Sequence, residues 1–239
     1  GGIGSDGLLW GGELLRVTGA HFDRLGQIKP LRIFGDEVES RVPWRLAASV
    51  LHALGRGDEI AQRFAAQPAA AALAAVMNDP RQGRPTSSLG RIVDAAASLL
   101  GINDVSLFRG EAGLMLEGKA AHAAEVAPLP DGWIIEDGML DLMPLLGALA
   151  DEKNQELGAA RFHATLIAAL SDWLCSVAPE GSTVAAGGGC FLNQVLARGL
   201  HERLADCDRH LIEARRVPPS DAGLALGQTW IAQQYLLHP

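Results

Sequence analysis

Thr183-Val184-Ala185-Ala186-Gly187-Gly188-Gly189-Cys190-Phe191-Leu192-Asn193 runs from a short apolar segment into three glycines and then into a stretch that reads as helix over 191–204. A second apolar run follows at 210–214, then a loop at 217–220 and a helical segment at 221–237. Strand, helix, strand, helix in that order predicts a sheet covered by helices, an α/β class. The glycines permit close backbone approach and positive φ, and a helix start behind them offers unpaired N–H groups and the positive end of a dipole. That chemistry suits a phosphate. A plain strand-to-helix corner has the same sequence, and the run matches neither standard phosphate-loop pattern.

Upstream of this stretch, 156–177 is the clearest long helix, with Leu166, Leu170, Trp173, Leu174 and Val177 on one side. Residues 124–151 are mixed and hold a candidate strand at Trp133-Ile134-Ile135. A helix is expected over 110–123. Another runs over 89–100, where Leu89, Ile92, Val93, Ala96, Leu99 and Leu100 trace one apolar face and Gly101 stops it. Residues 78–85 are a loop. Alanine-rich helix is expected over 56–77, interrupted near Pro68, and a helix begins at Pro43 with Trp44, Ala47, Ala48, Leu51 and Leu54 in register. Residues 8–10 and 13–17 read as short strands joined through Gly11-Gly12, and 21–34 as a further strand broken by Pro30. The expected organisation is one α/β lobe over 1–239, with a helical insertion at 43–85.

Composition narrows the function classes. Hydrophobic residues are 48% and charged residues 20%, and the formal charge of −8 argues against a bulk-basic nucleic-acid surface. Nothing approaches the roughly 20 apolar residues of a membrane span, and the N-terminus lacks a secretory pattern. Cys175, Cys190 and Cys207 fit no zinc or disulfide framework, which points to reduced thiols and a cytoplasmic protein. The chain opens inside a turn-like run, Gly1-Gly2-Ile3-Gly4-Ser5-Asp6-Gly7, so a preceding N-terminal part is expected.

Two further segments carry chemistry. Arg216-Val217-Pro218-Pro219-Ser220-Asp221-Ala222-Gly223 lies where a strand ends and a helix begins, the edge at which ligands collect in open α/β sheets. Asp221 is either a helix cap or a ligand to a hard or borderline divalent metal. In Pro85-Thr86-Ser87-Ser88-Leu89-Gly90-Arg91-Ile92-Val93-Asp94, Gly90 and Asp94 share one side of a helix. A carboxylate beside bare backbone suits a ribose diol; a solvated face with a serine cap suits the same spacing. The seven histidines include no pair spaced for metal binding on one helix face, and each reads as a surface or packed residue.

Taken in order, these segments resemble the C-terminal part of the HypF carbamoyltransferase family, which matures nickel–iron hydrogenases. They are also similar to the universal tRNA threonylcarbamoyladenosine enzymes. The matching pieces run from Gly2-Ile3-Gly4 and Asp6-Gly7-Leu8-Leu9-Trp10-Gly11-Gly12-Glu13 through Pro43-Trp44-Arg45 and the 86–95 segment to Gly110-Glu111-Ala112 and Arg161-Phe162-His163. Gly188-Gly189-Cys190-Phe191-Leu192-Asn193 and Val217-Pro218-Pro219-Ser220-Asp221-Ala222-Gly223, with Leu226-Gly227-Gln228, complete the set.

The resemblance implies a ribonuclease-H-like lobe of the kind shared by actin, sugar kinases and heat-shock ATPases. It places Gly188, Gly189 and Asn193 on nucleotide phosphates, Gly90 and Asp94 on the ribose and adenine side, Gly110 and Glu111 at the same pocket, and Asp221 on a metal such as zinc, iron or magnesium. It names no catalytic residue. It implies that ATP and a carbamoyl phosphate-derived substrate give a carbamoyl-adenylate. The carbamoyl group then passes to a HypE-like acceptor protein, with N-terminal domains of the same enzyme as further partners. Several features depart from the family: its His-x-x-x-His metal helix is not in this chain, an expected Asp is Gly1, and Gly187 stands where Ser or Thr is usual. The opening hairpin is about two residues short. A tRNA-modifying transferase and a noncatalytic nucleotide-binding or scaffold module are the rival readings. Trp10-Gly11-Gly12-Glu13, Pro43-Trp44-Arg45 and the helical insertion favour the hydrogenase-maturation reading over the tRNA one.

Overall fold

The structure, a computed structural model, describes residues 2–35 and 41–237; Gly1 and His238 lie outside the described residues. Strands β1 (Glu13–Thr18) and β2 (His21–Ile28) form an antiparallel hairpin with a bulge at Leu14/Leu15. β3 (Leu31–Ile33) begins just after Pro30, which cannot donate a ladder hydrogen bond, so the expected 21–34 strand divides there.

The first expected strand is different. Leu9 makes only isolated bridges to Ile3 and Thr86, and residues 8–10 form no hairpin with β1. The cause is local: the Glu13 carboxylate folds back to accept the Gly11 and Gly12 amides at 2.6 and 2.9 Å. The two glycine carbonyls accept instead from Leu89 and Ile28. Gly11-Gly12 is therefore a junction between β2 and the start of a later helix, not a hairpin turn.

Helix α1 (Pro43–Ala53) has proline in its first turn, where no backbone donor is needed, and buries Trp44, Leu46, Ala47, Val50 and Leu51. The alanine-rich stretch after it is more broken than its composition suggests. It holds a short 3₁₀ turn, then α2 (Ile60–Arg63) and α3 (Ala70–Met77). β4 (Arg84–Thr86) pairs antiparallel with β3 and leads into α4 (Leu89–Leu99), which packs against α1. α5 (Glu111–Ala121) follows.

The mixed stretch resolves into β5 (Ile134–Glu136), β6 (Met139–Asp141) and α6 (Met143–Asp151). Asp137-Gly138 joins the two strands, and the Asp141 carboxylate accepts the Met143 amide at 2.8 Å to start α6. β6 also pairs parallel with β2, giving a sheet in the order β1-β2-β6-β5.

The longest helix is α7 (Gln155–Val177). Its N-cap Asn154 accepts the amides of Glu156 and Leu157, both at 3.1 Å. The remainder is β7 (Thr183–Ala186), a 3₁₀ turn at Gly189–Leu192, α8 (Gln194–Asp206), β8 (His210–Glu213), a 3₁₀ turn at Asp221–Gly223 and α9 (Leu224–Leu237). β7 and β8 are parallel, with α8 as their crossover. Strand–helix–strand–helix is thus the observed order, and the architecture is α/β.

The core is one cluster that includes Ile28, Trp44, Leu51, Ile92, Leu99, Leu116, Leu140, Leu149, Phe162, Leu166 and Leu200. No helix among the described residues is long and apolar enough to cross a membrane.

Candidate functional site: a glycine turn against a helix start

At the end of β7 the chain turns through Gly187, Gly188 and Gly189. Gly188 holds φ +105° and ψ 156°, a region essentially closed to side chains, so glycine is required there. Its amide donates to the Pro219 carbonyl at 2.6 Å, tying the glycine turn to the loop before Asp221. A methyl group on any of the three glycines would meet nothing within 4 Å, so this face of the turn is open.

The helix behind the turn is less available than the sequence suggests. α8 starts only at Gln194, one 3₁₀ turn later, and its first donors are taken. Gln194 donates its amide to the Glu117 carboxylate at 2.6 Å, and Leu196 donates to Asn193 Oδ1 at 2.9 Å. The Asn193 amide nitrogen lies 2.9 Å from His163 Nε2. The open backbone is the glycine turn itself.

Opposite lies the start of α4. A Cβ on Gly90 would sit 3.6 Å from Ser88 Oγ and 3.8 Å from Cys190 Sγ, so Gly90 and the glycine turn are neighbours. One turn on, Asp94 is 3% exposed, which removes the reading of this helix side as solvated. Arg91 Nη2 lies 2.7 Å from Asp94 Oδ2, but the donor is poorly aimed, and Oδ2 has no directed hydrogen bond. Burial pushes the Asp94 carboxyl up to about 6, against the opposing pull of Arg91 and Arg109. Burial, with Asp94 as its neighbour, pushes the Cys190 thiol up to about 11. A buried, under-bonded carboxylate beside an open backbone turn is the kind of tension that marks a binding site.

The remaining predicted residues sit around this pair. Gly110, with φ +90°, forms the N-cap position of α5 and is exposed. Glu111 accepts the Leu107 amide at 2.6 Å and so fixes the loop carrying Arg109. The Arg109 charge pulls the Asp94 carboxyl down, and Arg109 Nη1 lies 3.4 Å from Asp221 Oδ2. Gly90, Asp94, Gly110, Gly188 and Asp221 are therefore linked through Cys190, Arg109 and Pro219.

Asp221 bears on the implied metal. It is 77% exposed, its charged neighbour is Arg109, and no group of three or more His, Cys, Asp or Glu among the described residues is arranged to hold an ion. The described residues do not make a metal site by themselves. A separate cavity of about 550 Å³, lined by Ile28, Lys29, Leu31, His52, Ile92 and Asp141, shares none of these residues. It lacks an open backbone turn, and the phosphate argument attaches to the glycine face.

Sequence reasoning missed Arg91, Arg109, Cys190, Glu117 and the contact role of His163. Spacing shows which residues share a helix side but not which partner that side meets. His163 interrupts an otherwise apolar face of α7, and that interruption was the available signal.

Residues 1–228 match the family model described as carbamoyltransferase, Kae1-like domain, second subdomain. Carbamoyltransferase HypF2 of Cupriavidus necator is 44% identical over 262 residues, covering 98% of this chain and 32% of that protein. Carbamoyltransferase HypF of Rhizobium leguminosarum bv. viciae is 37% identical over 244 residues, covering 99% and 31%. A crystal structure of full-length HypF in its phosphate- and nucleotide-bound form superposes with a TM-score of 0.84 at 23% identity, covering 99% of this chain and 32% of that one. T. kodakarensis HypF gives 0.82 at 22% identity, covering 98% and 33%. The chain spans about a third of the length of these relatives. The fold is shared with them, a Kae1-like lobe of ribonuclease-H type.

Proposed function

The chain belongs to the HypF carbamoyltransferase family, as the second subdomain of its Kae1-like domain, and on that premise we propose that it supplies the nucleotide-binding lobe for ATP-dependent carbamoyl transfer. The single observation that carries the reading is the meeting of two unlike surfaces. The open glycine turn at 187–189 stands beside α4, whose Gly90 and buried Asp94 offer bare backbone and an under-bonded carboxylate. A phosphate-bearing ligand with a hydroxylated sugar suits both at once. A fold relative crystallised in a phosphate- and nucleotide-bound form supports the same reading.

In this account the Gly187 and Gly189 amides donate to nucleotide phosphates, the Gly188 amide being spent on the Pro219 carbonyl, and Asp94 accepts from the ribose hydroxyls. Gly110 leaves the rim of the pocket open, Glu111 holds the rim loop, and Arg109 spans from Asp94 towards Asp221. In the reaction a carbamate oxygen of the carbamoyl phosphate-derived substrate attacks the α-phosphorus of ATP, the bond from that phosphorus to the β-phosphate oxygen breaks, and pyrophosphate leaves. The carbamoyl-adenylate then yields its carbamoyl group to a HypE-like acceptor, with AMP as the leaving group, in nickel–iron hydrogenase maturation, in the cytoplasm. These residues bind and orient; proton transfer and leaving-group chemistry are not assigned to any of them. A divalent metal would find one ligand here, Asp221, with the rest supplied from outside this chain. We take 1–239 as one lobe of a longer carbamoyltransferase, with 43–85 as a helical insertion.

Calorimetric titration of the full chain with ATP tests the reading. Asn193→Ala and Asp94→Ala should each weaken binding by about tenfold, the scale of one lost hydrogen bond to a charged or polar partner. Unchanged affinity in both variants rejects the placement.

A further inference from the structure

His163 is the buried polar ring in the long helix α7, 2% exposed and edge-on to Phe162. Both of its ring nitrogens are engaged. Nδ1 lies 2.8 Å from the Ala159 carbonyl, and Nε2 lies 2.9 Å from Asn193 Nδ2. A carbonyl oxygen only accepts, so Nδ1 carries the proton. Nε2 is then a lone pair and accepts from the Asn193 amide. The other end of that amide, Oδ1, accepts from Leu196 at 2.9 Å and caps α8. Two bonds of opposite sense therefore fix which way the Asn193 side chain points. After both are made, Asn193 Nδ2 keeps one N–H unspent.

We propose that His163 is a positioning residue for the nucleotide site: by accepting one Asn193 N–H it directs the other to an anionic oxygen held at the glycine turn. The proposal rests on the nucleotide reading above. His163 acts only through Asn193 and touches no ligand itself. The arrangement holds for the neutral ring alone, because a proton on Nε2 would set N–H against N–H. Asn193 must then swing away, losing its cap on α8 and its aim. Burial holds His163 below its ordinary value of 6.5, against the pull of the Ala159 carbonyl and of Glu117. Among the described residues, α5 contributes Glu117 as the charged group facing the ring, and α8 contributes the uncharged Asn193.

The test uses the full chain, with nitrogen NMR of the histidine rings in the nucleotide-free protein and ATP calorimetry from about pH 8 down through the pH at which the NMR shows the His163 ring taking up its second proton. His163→Gln keeps an acceptor for Asn193, and His163→Phe keeps a ring without one. The free protein should show the Nδ1–H form at neutral pH. His163→Phe should bind ATP about tenfold more weakly at pH 7.5, with His163→Gln recovering most of the loss. The ratio of wild-type to His163→Gln affinity should fall as pH drops below 6.5; taking the ratio cancels titration of ATP itself and of Asp94. An Nε2–H ring, a ratio that stays flat while the ring takes up its second proton, or wild-type affinity in His163→Phe each overturns the proposal. If His163→Phe does not fold, the ratio decides alone. Absence of ATP binding by the wild type, with the Nδ1–H ring intact, overturns the nucleotide reading and removes the positioning role with it.

Discussion

Asp94 is held where a carboxylate is uncomfortable. It is almost wholly buried, its ion pair with Arg91 is badly aimed, and one oxygen accepts nothing. A rise from the ordinary 3.8 to about 6 means that the folded protein binds this proton more tightly than the unfolded chain does. The contribution to stability is then fully present below 3.8 and is lost as pH rises through about 6. That rise corresponds to about 3 kcal/mol between the two ends of the window. Asp94→Asn removes the titration, so it should raise the urea midpoint at pH 8 by an amount that shrinks towards nothing at pH 4. It should also weaken ATP binding, the usual exchange of stability against function. Equal midpoints for wild type and variant at pH 8 would mean that the carboxylate is not held at a cost. A helix pattern reveals that Gly90 and Asp94 lie on one side, but not that this side is buried. Burial is set by α5 and the glycine turn, which are remote in sequence.

At the scale of elements, the glycine turn is the part most legible in the sequence. A short apolar run, three glycines, a helical stretch and a second apolar run predicted strand, helix and strand in a sheet covered by helices, and β7, α8 and β8 follow that order, with the two strands paired in parallel. The helix start was less legible. Asn193 is both the end of a 3₁₀ turn and the cap of α8, so the helix begins later than the apolar pattern begins. β6 and α6 stayed hidden because three-residue strands and a nine-residue helix give little periodicity. At the other end of the chain, Glu13 binds the Gly11 and Gly12 amides, and no local pattern announces a carboxylate that folds back on its own backbone. Gly188→Ala probes the turn directly. Space is not limiting, since nothing lies within 4 Å, but φ +105° is. The variant should lose about 1–3 kcal/mol of stability, measured by denaturant unfolding, and bind ATP more weakly. A variant as stable as wild type would mean that the turn does not need this backbone conformation.

For the whole molecule, the account places a nucleotide between three parts of the chain that are far apart in sequence: the start of α4, the loop before α5, and the glycine turn with its attached Pro218-Pro219 loop. The Gly188–Pro219 hydrogen bond ties the Pro218-Pro219 loop to the glycine turn, and the exposed Arg109 lies 3.4 Å from Asp221. The described residues offer Asp221 but no complete metal cluster, and the chain spans about a third of its relatives. The most direct test is a crystal structure with a non-hydrolysable ATP analogue. The expected result is phosphate oxygens within about 3.2 Å of the Gly187 and Gly189 amides and ribose hydroxyls at similar distance from Asp94. An analogue bound elsewhere, for instance in the cavity lined by Lys29, His52 and Asp141, would contradict it.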